Sequence, residues 1–127
     1  MVGIVVVSHS AELARGVADL AGQMAGTDVR IEVAGGRPDG SLGTDDGLVR
    51  DAIRRANQGD GVVVLGDLGS AILTIRHVLE RPGNGHAVLV DAPIVEGSVA
   101  AAVLASAGCD LEQVQQAAEE ARGASKL

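Results

Sequence analysis

The chain has 127 residues, with 17 acidic against 10 basic side chains and a formal net charge of −7 at pH 7. This length favours one domain, so we expect residues 1–127 to form a single unit. The acidic balance and the absence of Phe, Tyr and Trp argue against nucleic-acid binding, because the chain lacks both a basic excess and stacking rings.

Features that are missing from the sequence indicate the cellular location. No segment approaches the ~20 apolar residues that a membrane span needs, and the apolar N-terminal run has no basic leader. One cysteine, Cys109, excludes an internal disulfide and fits a reducing compartment. We therefore expect a cytoplasmic protein that does not contact a membrane.

The first predicted elements are a strand over residues 3–8 and a helix over residues 11–25. The strand is an unbroken run dominated by β-branched residues, which is typical of a strand buried in a parallel sheet. Ser8 or Ser10 can cap the helix. The apolar spacing predicts that the buried face of this helix consists of Leu13, Val17, Leu20 and Met24.

Strands and helices alternate along the rest of the chain. Further strands are predicted over residues 29–34, 62–66 and 87–90. Helices are predicted after a cap at Thr44 or Asp45 and over residues 71–80, 97–107 and 111–122. This alternation predicts an α/β fold, a three-layer α/β/α sandwich around a mostly parallel, flavodoxin-like sheet.

The carboxyl ends of the predicted strands meet at one edge of such a sheet, where ligands usually bind. His9 follows the first strand and is the candidate nucleophile, because a neutral imidazole has one basic nitrogen and one N–H. A carboxylate on that N–H would fix the tautomer and stabilise the charged product. Asp67, after the third strand, is the best candidate for this orienting role, and Asp91 is the second choice.

A phosphoryl group on His9 would also need hydrogen-bond donors. The starts of helices attract anions through unpaired amides and the helix dipole. The candidate donors are Ser10, Thr44, Gly69, Ser70 and Ala71. Thr44, Asp67 and Ser70 have a simpler interpretation as helix caps.

Other motifs are missing. The sequence has no phosphate-binding loop for nucleoside triphosphates, no dinucleotide fingerprint and no metal-ligand spacing. His77 is expected on the solvent side of the third helix and His86 at the opposite edge of the sheet. The pattern indicates a protein that accepts a phosphoryl group from one protein and transfers it to another, rather than a self-sufficient kinase.

These residues resemble the mannose-type EIIA family of the phosphotransferase system (PTS), and within it the phosphotransferase subunits of dihydroxyacetone kinases. The resemblance is carried by residues 4–10, 13–14, 16–17, 23–24, 35–36, 42–45, 64–71 and 90–97. The segment Asp-Leu-Gly-Ser-Ala at 67–71 favours the dihydroxyacetone branch over sugar-transport EIIA domains.

The resemblance implies a mechanism and a set of partners. His9 would be phosphorylated on Nε2 while Asp67 holds Nδ1. The donor would be phosphohistidine on HPr, and the acceptor would be ADP on the DhaL subunit, which then serves DhaK. A homodimer without a resident cofactor or metal would be expected.

Two alternatives remain open from the sequence. An EIIA component of a mannose- or fructose-type sugar transporter would use the same chemistry at His9 but would phosphorylate an EIIB domain. A receiver-like or ligand-binding regulatory domain would transfer nothing. A receiver needs an acidic cluster after the first strand, where this chain has Ser8-His9-Ser10.

Overall fold

Four strands alternate with four helices along the chain, a fifth helix follows, and the computed structural model describes all 127 residues. The strands are β1 (Gly3–Ser8), β2 (Ile31–Gly35), β3 (Val62–Gly66) and β4 (Ala87–Leu89). The helices are α1 (Ala11–Ala25), α2 (Asp46–Ala56), α3 (Gly69–Leu79), α4 (Ile94–Ser106) and α5 (Leu111–Glu120), followed by a 3₁₀ turn at Ala121–Gly123.

The sheet is parallel throughout, and its strand order is β2-β1-β3-β4. Every residue of β1 and β3 is buried, because these central strands are covered on both faces. The register pairs Val7 with Gly66 and Ser8 with Gly35. The carboxyl ends of β1, β2 and β3 therefore lie side by side.

Helices cover both faces of the sheet. Ile4 and Val6 of β1 belong to a cluster of 16 buried residues that also includes residues of α1, α4 and α5. Val5 and Val7 point the other way, into a cluster of 12 buried residues shared with α2 and α3. This arrangement confirms the predicted α/β/α sandwich.

The buried face of α1 differs from the prediction. Leu13, Leu20 and Met24 are 45%, 42% and 52% exposed. The buried residues of this helix are Ala14, Val17, Ala21 and Ala25. The start of the helix lies so close to β2 that a Cβ on Gly35 would be 2.7 Å from Ala11 Cα and 2.9 Å from Ala14 Cβ, which favours small side chains at this contact.

Two helices begin earlier than predicted. Helix α3 starts at Gly69 rather than residue 71, and α4 starts at Ile94 rather than residue 97. Neither start has a side-chain cap, since Leu68 and Pro93 occupy the N-cap positions. The usual capping signal is therefore absent from the sequence at both places. None of the helices combines the length and apolar character required to cross a membrane.

Candidate active site

His9 and Asp67 come together because β1 and β3 are neighbours. Each residue follows the end of its strand, at the carboxyl edge of the sheet. Nδ1 of His9 lies 2.9 Å from Oδ1 of Asp67. The His9 side chain is 24% exposed and that of Asp67 is 13% exposed, so the imidazole is reachable while the carboxylate is largely covered.

The carboxylate of Asp67 is held by four hydrogen bonds. Oδ2 accepts from Ser8 Oγ at 2.7 Å and from the His9 amide at 3.1 Å. Oδ1 lies against Nδ1 of His9 and accepts from the Leu68 amide at 2.7 Å. Partial burial raises the pKa of Asp67, but the hydrogen bonds from Ser8, His9 and Leu68 outweigh it and hold the pKa below its ordinary value.

The ionised carboxylate determines which imidazole nitrogen is basic. Because an ionised Asp67 can only accept, Nδ1 of His9 carries the hydrogen. In the neutral ring, the lone pair is then on Nε2, which contacts Ser70 Oγ. The Ser70 hydroxyl donates in this contact, and Nε2 is the basic nitrogen of the neutral ring.

The first turn of α3 supplies further donors near Nε2. The first backbone bond of this helix runs from the Ile72 amide to the Leu68 carbonyl at 3.2 Å. The preceding amides, those of Gly69, Ser70 and Ala71, have no acceptor within the helix. They lie at the positive end of the helix dipole, which can stabilise an anionic group.

The hydroxyls of Ser10 and Thr44 have other partners. Ser10 caps α1, since its Oγ accepts from the Leu13 amide at 3.2 Å. That bond uses an oxygen lone pair, so the hydroxyl hydrogen can still be donated. Thr44 Oγ1 lies 2.7 Å from Thr74 Oγ1. For both residues, a role in phosphoryl binding stays a prediction.

The other titratable residues considered make no hydrogen bond to His9. Asp67, and not the second choice Asp91, lies against Nδ1 of His9; the carboxylate of Asp91 pairs with Arg122 at 2.5 Å. His77 is exposed and pairs with Asp46. His86 is exposed and precedes β4, at the opposite edge of the sheet.

Sequence reasoning missed four contacts around His9. Ser8 was considered only as a helix cap, but it is fully buried, and its Oγ donates to Asp67 and accepts from the Ser10 amide at 3.0 Å. A lone hydroxyl ending an apolar strand was the available signal. The Gly43 amide donates to the His9 carbonyl at 2.9 Å, and Thr74 donates to the Ser70 carbonyl at 3.1 Å. The Gly43 contact does not follow from local sequence, whereas the Thr74 contact spans only four residues within α3.

The fold and site define a class: a parallel α/β domain whose oriented histidine lies at the carboxyl edge of the sheet. A family model described as EIIA-man, PTS system fructose IIA component, matches residues 3–115. A solved structure of a protein of unknown function, EF1359, superposes with a TM-score of 0.84 at 35% identity, covering 94% of this chain and 93% of that one.

Curated relatives agree with the family model. The phosphoryl donor subunit DhaM of the PEP-dependent dihydroxyacetone kinase of Pantoea ananatis is 44% identical over 98% of this chain. DhaM of kinase 1 in Listeria innocua is 42% identical, and the match covers 79% of this chain and 78% of that protein. The chain belongs to the EIIA-man family, and these curated relatives in it are phosphoryl donor subunits.

The relatives differ in length. The chain spans 28% of the Pantoea ananatis protein and 25% of its Escherichia coli counterpart. It spans 94% of the Lactococcus lactis phosphotransferase subunit DhaM, to which it is 32% identical. The matched domain thus occurs in both long and short relatives.

Proposed function

We propose that this chain is a phosphohistidine carrier in a PEP-dependent dihydroxyacetone kinase system. His9 accepts a phosphoryl group from phospho-HPr and passes it to ADP bound to a DhaL subunit, and the ATP formed phosphorylates dihydroxyacetone on DhaK. The observation that carries the proposal is the pairing of Nδ1 with Asp67 at 2.9 Å, which leaves Nε2 as the basic nitrogen. The relatives that are phosphoryl donor subunits of PEP-dependent dihydroxyacetone kinases support the choice of system.

The first transfer uses the Nε2 lone pair. The Ser70 hydroxyl turns away from Nε2, and the lone pair attacks phosphorus. The P–N bond of the donor phosphohistidine breaks, and the donor imidazole leaves with the electron pair. The Nδ1–H group of His9 keeps its hydrogen and continues to donate it to Asp67. The negative charge of this carboxylate balances the positive charge of the phosphorylated ring.

The same residues serve the second transfer. The Ser70 hydroxyl and the amides of Gly69, Ser70 and Ala71 donate to the phosphoryl oxygens at the start of α3. A β-phosphate oxygen of ADP then attacks phosphorus, and the electron pair of the Nε2–P bond returns to the ring. This chain contributes alignment and charge balance to both steps.

The test is phosphorylation by the general PTS proteins. The chain is incubated with ³²P-labelled phosphoenolpyruvate, enzyme I and HPr, and we expect acid-labile label on His9. His9→Ala should carry none, while His77→Ala, which removes another exposed imidazole, should be labelled like the wild type. Label on another side chain, or no label, would contradict the proposal.

A second candidate is an EIIA component of a sugar transporter. The description of the matching family model, a fructose IIA component, favours it. The phosphorylated chain is mixed either with DhaL–ADP, DhaK and dihydroxyacetone or with an EIIB domain of the mannose type. Rapid loss of label to the kinase subunits, with formation of dihydroxyacetone phosphate, supports the first function. Preferential transfer to EIIB would favour the second.

A further inference from the structure

A pair of threonine hydroxyls connects the middle of α3 with the segment before α2. Thr74 Oγ1 donates to the Ser70 carbonyl at 3.1 Å and lies 2.7 Å from Thr44 Oγ1. A hydroxyl has one hydrogen. Because Thr74 donates its hydrogen to Ser70, Thr44 is the donor in the bond between the two threonines. We call this pair the Thr44–Thr74 bridge.

Both ends of the bridge lead back to His9. On one side, the Gly43 amide, next to Thr44, donates to the His9 carbonyl at 2.9 Å. On the other side, Ser70, whose carbonyl is bonded to Thr74, contacts Nε2 of His9 through its hydroxyl. The bridge therefore closes a ring of contacts that runs from the backbone of His9 to its imidazole.

Neither threonine is needed for the packing of the helices or the start of α2. The N-cap of α2 is Asp45, whose carboxylate accepts from the Leu48 amide at 3.0 Å. Helices α2 and α3 already share an apolar cluster that includes Val49, Ile53 and Ile75. A threonine in mid-helix that bonds back to the carbonyl four residues earlier is neutral to unfavourable for the helix itself. Helix capping and helix packing therefore do not account for the bridge, whereas its contacts with the residues around His9 do.

We propose that Thr74 is a positioning residue for phosphoryl transfer at His9, an inference that rests on the proposed function. Together with Thr44, it holds Ser70 and the first turn of α3 at the position where they meet Nε2 and, after transfer, the phosphoryl oxygens. Thr74 makes no hydrogen bond to the imidazole. It acts through the Ser70 backbone on one side and the segment Gly43–Thr44 on the other.

The kinetic test compares substitutions that keep or remove the hydroxyl. Thr74→Val removes the hydroxyl at nearly constant shape, and single-turnover phosphorylation by phospho-HPr should slow by about threefold to tenfold, the range expected for one net hydrogen bond. Thr74→Ser should restore the rate to within about twofold, because it keeps both bonds. Thr27→Val, at an exposed position between α1 and β2, is the matched control and should react like the wild type.

A double substitution tests whether the two hydroxyls act as a unit. Thr44→Val combined with Thr74→Val should slow phosphorylation by the same factor as Thr74→Val alone, because either change breaks the bridge. Slowing by the product of the two single effects would mean that Thr44 acts independently, and would overturn the bridge as a unit.

A second measurement uses the unphosphorylated chain. In Thr74→Val, the ¹⁵N resonance of His9 Nε2 should shift, and the Gly43 amide should exchange about threefold to tenfold faster. Both signals should be restored in Thr74→Ser. Unchanged His9 and Gly43 signals would overturn the positioning role, as would wild-type transfer by Thr74→Val.

The outcomes separate this inference from the proposed function. If the wild type accepts label and Thr74→Val accepts it equally fast, the inference fails and the function stands. If the wild type accepts no label, the proposed function fails, and the resonances of His9 and Gly43 decide whether the bridge positions the imidazole. Slow transfer in Thr74→Val that Thr74→Ser does not restore would indicate a merely structural role.

Discussion

The ionised form of Asp67 is stabilised in the folded chain, because Ser8, His9 and Leu68 all donate hydrogen bonds to its carboxylate. These hydrogen bonds outweigh the effect of burial, which raises the pKa, and so the pKa of Asp67 is lower in the folded chain. A carboxyl group whose pKa is lowered by folding stabilises the fold at pH values above its unfolded-state pKa. This stabilisation is lost as the pH falls through its folded-state pKa.

We therefore predict that Asp67→Asn changes the acid sensitivity of the chain. Above about pH 5 the wild type should be the more stable, and its advantage should shrink progressively below about pH 4. Urea unfolding at a series of pH values measures the difference. An advantage that stays constant down to pH 2.5 would show that this carboxylate does not titrate as argued.

Ser98 is a buried residue whose hydroxyl lacks a partner. It lies in α4, is fully buried, and its Oγ makes no hydrogen bond. An unsatisfied buried hydroxyl costs free energy, so Ser98→Ala should raise the free energy of unfolding by about 1 kcal/mol. Ser106→Ala, at an exposed position in the same helix, should change it by less than about 0.5 kcal/mol. Thermal unfolding followed by circular dichroism provides the comparison, and a less stable Ser98→Ala would refute the argument.

The sequence was most informative for residues that directly follow strands. His9 and Asp67 could be paired once strands one and three were assumed to be neighbours, as in a flavodoxin-like sheet, because adjacent strand ends must lie close together. Ser8 and Thr74 could not be assigned in this way. Their partners lie 59 residues away for Ser8 and on a separate segment for Thr74, and only the folded geometry shows which hydroxyl meets which acceptor.

The contact between α1 and β2 depends on Gly35. A Cβ at this position would be 2.7 Å from Ala11 Cα and 2.9 Å from Ala14 Cβ, so one of the two elements must move. Gly35→Ala should lower the free energy of unfolding by about 1–3 kcal/mol. Because α1 begins two residues after His9, phosphoryl transfer should slow as well.

Gly22→Ala is the matched control for this substitution. A Cβ at Gly22 meets nothing within 4 Å, and an alanine in mid-helix should raise the free energy of unfolding by about 0.5–1 kcal/mol. Urea unfolding of the two variants should therefore give changes of opposite sign. Equal changes would mean that the proximity of α1 to β2 does not limit this position.

Elements were predictable where their signals were strong. The unbroken apolar runs of β1 and β3 predicted both strands with their observed bounds. The buried face of α1 was predicted wrongly, because large apolar residues were assumed to point inward. The close approach of this helix to the sheet instead selects alanine for the interior and leaves Leu13 and Met24 partly in solvent.

The charge of the whole molecule bears on its encounters with a phosphoryl donor. A net charge of −7 favours a donor with a basic docking surface, and attraction of this kind is screened by salt. We predict that the second-order rate of phosphorylation by phospho-HPr falls several-fold between about 0.05 M and 0.5 M salt. Stopped-flow or quenched-flow measurements at several salt concentrations provide the test.

Hydrolysis of the phosphorylated chain serves as the internal control. That reaction needs no second protein, so its rate should hardly change over the same range of salt. A phosphorylation rate that stays flat would show that the acidic surface does not assist docking, and parallel changes in both rates would indicate an effect of salt on the site itself.

The interior of this fold is built without a single aromatic ring, since the chain has no Phe, Tyr or Trp. It is therefore nearly transparent at 280 nm and does not fluoresce in the near ultraviolet. In a mixture with other proteins, every intrinsic emission signal belongs to them. One indole introduced by Leu68→Trp, at a position that is 65% exposed and adjacent to Asp67, would become the only fluorophore of the chain and would report the binding and release of other molecules beside His9.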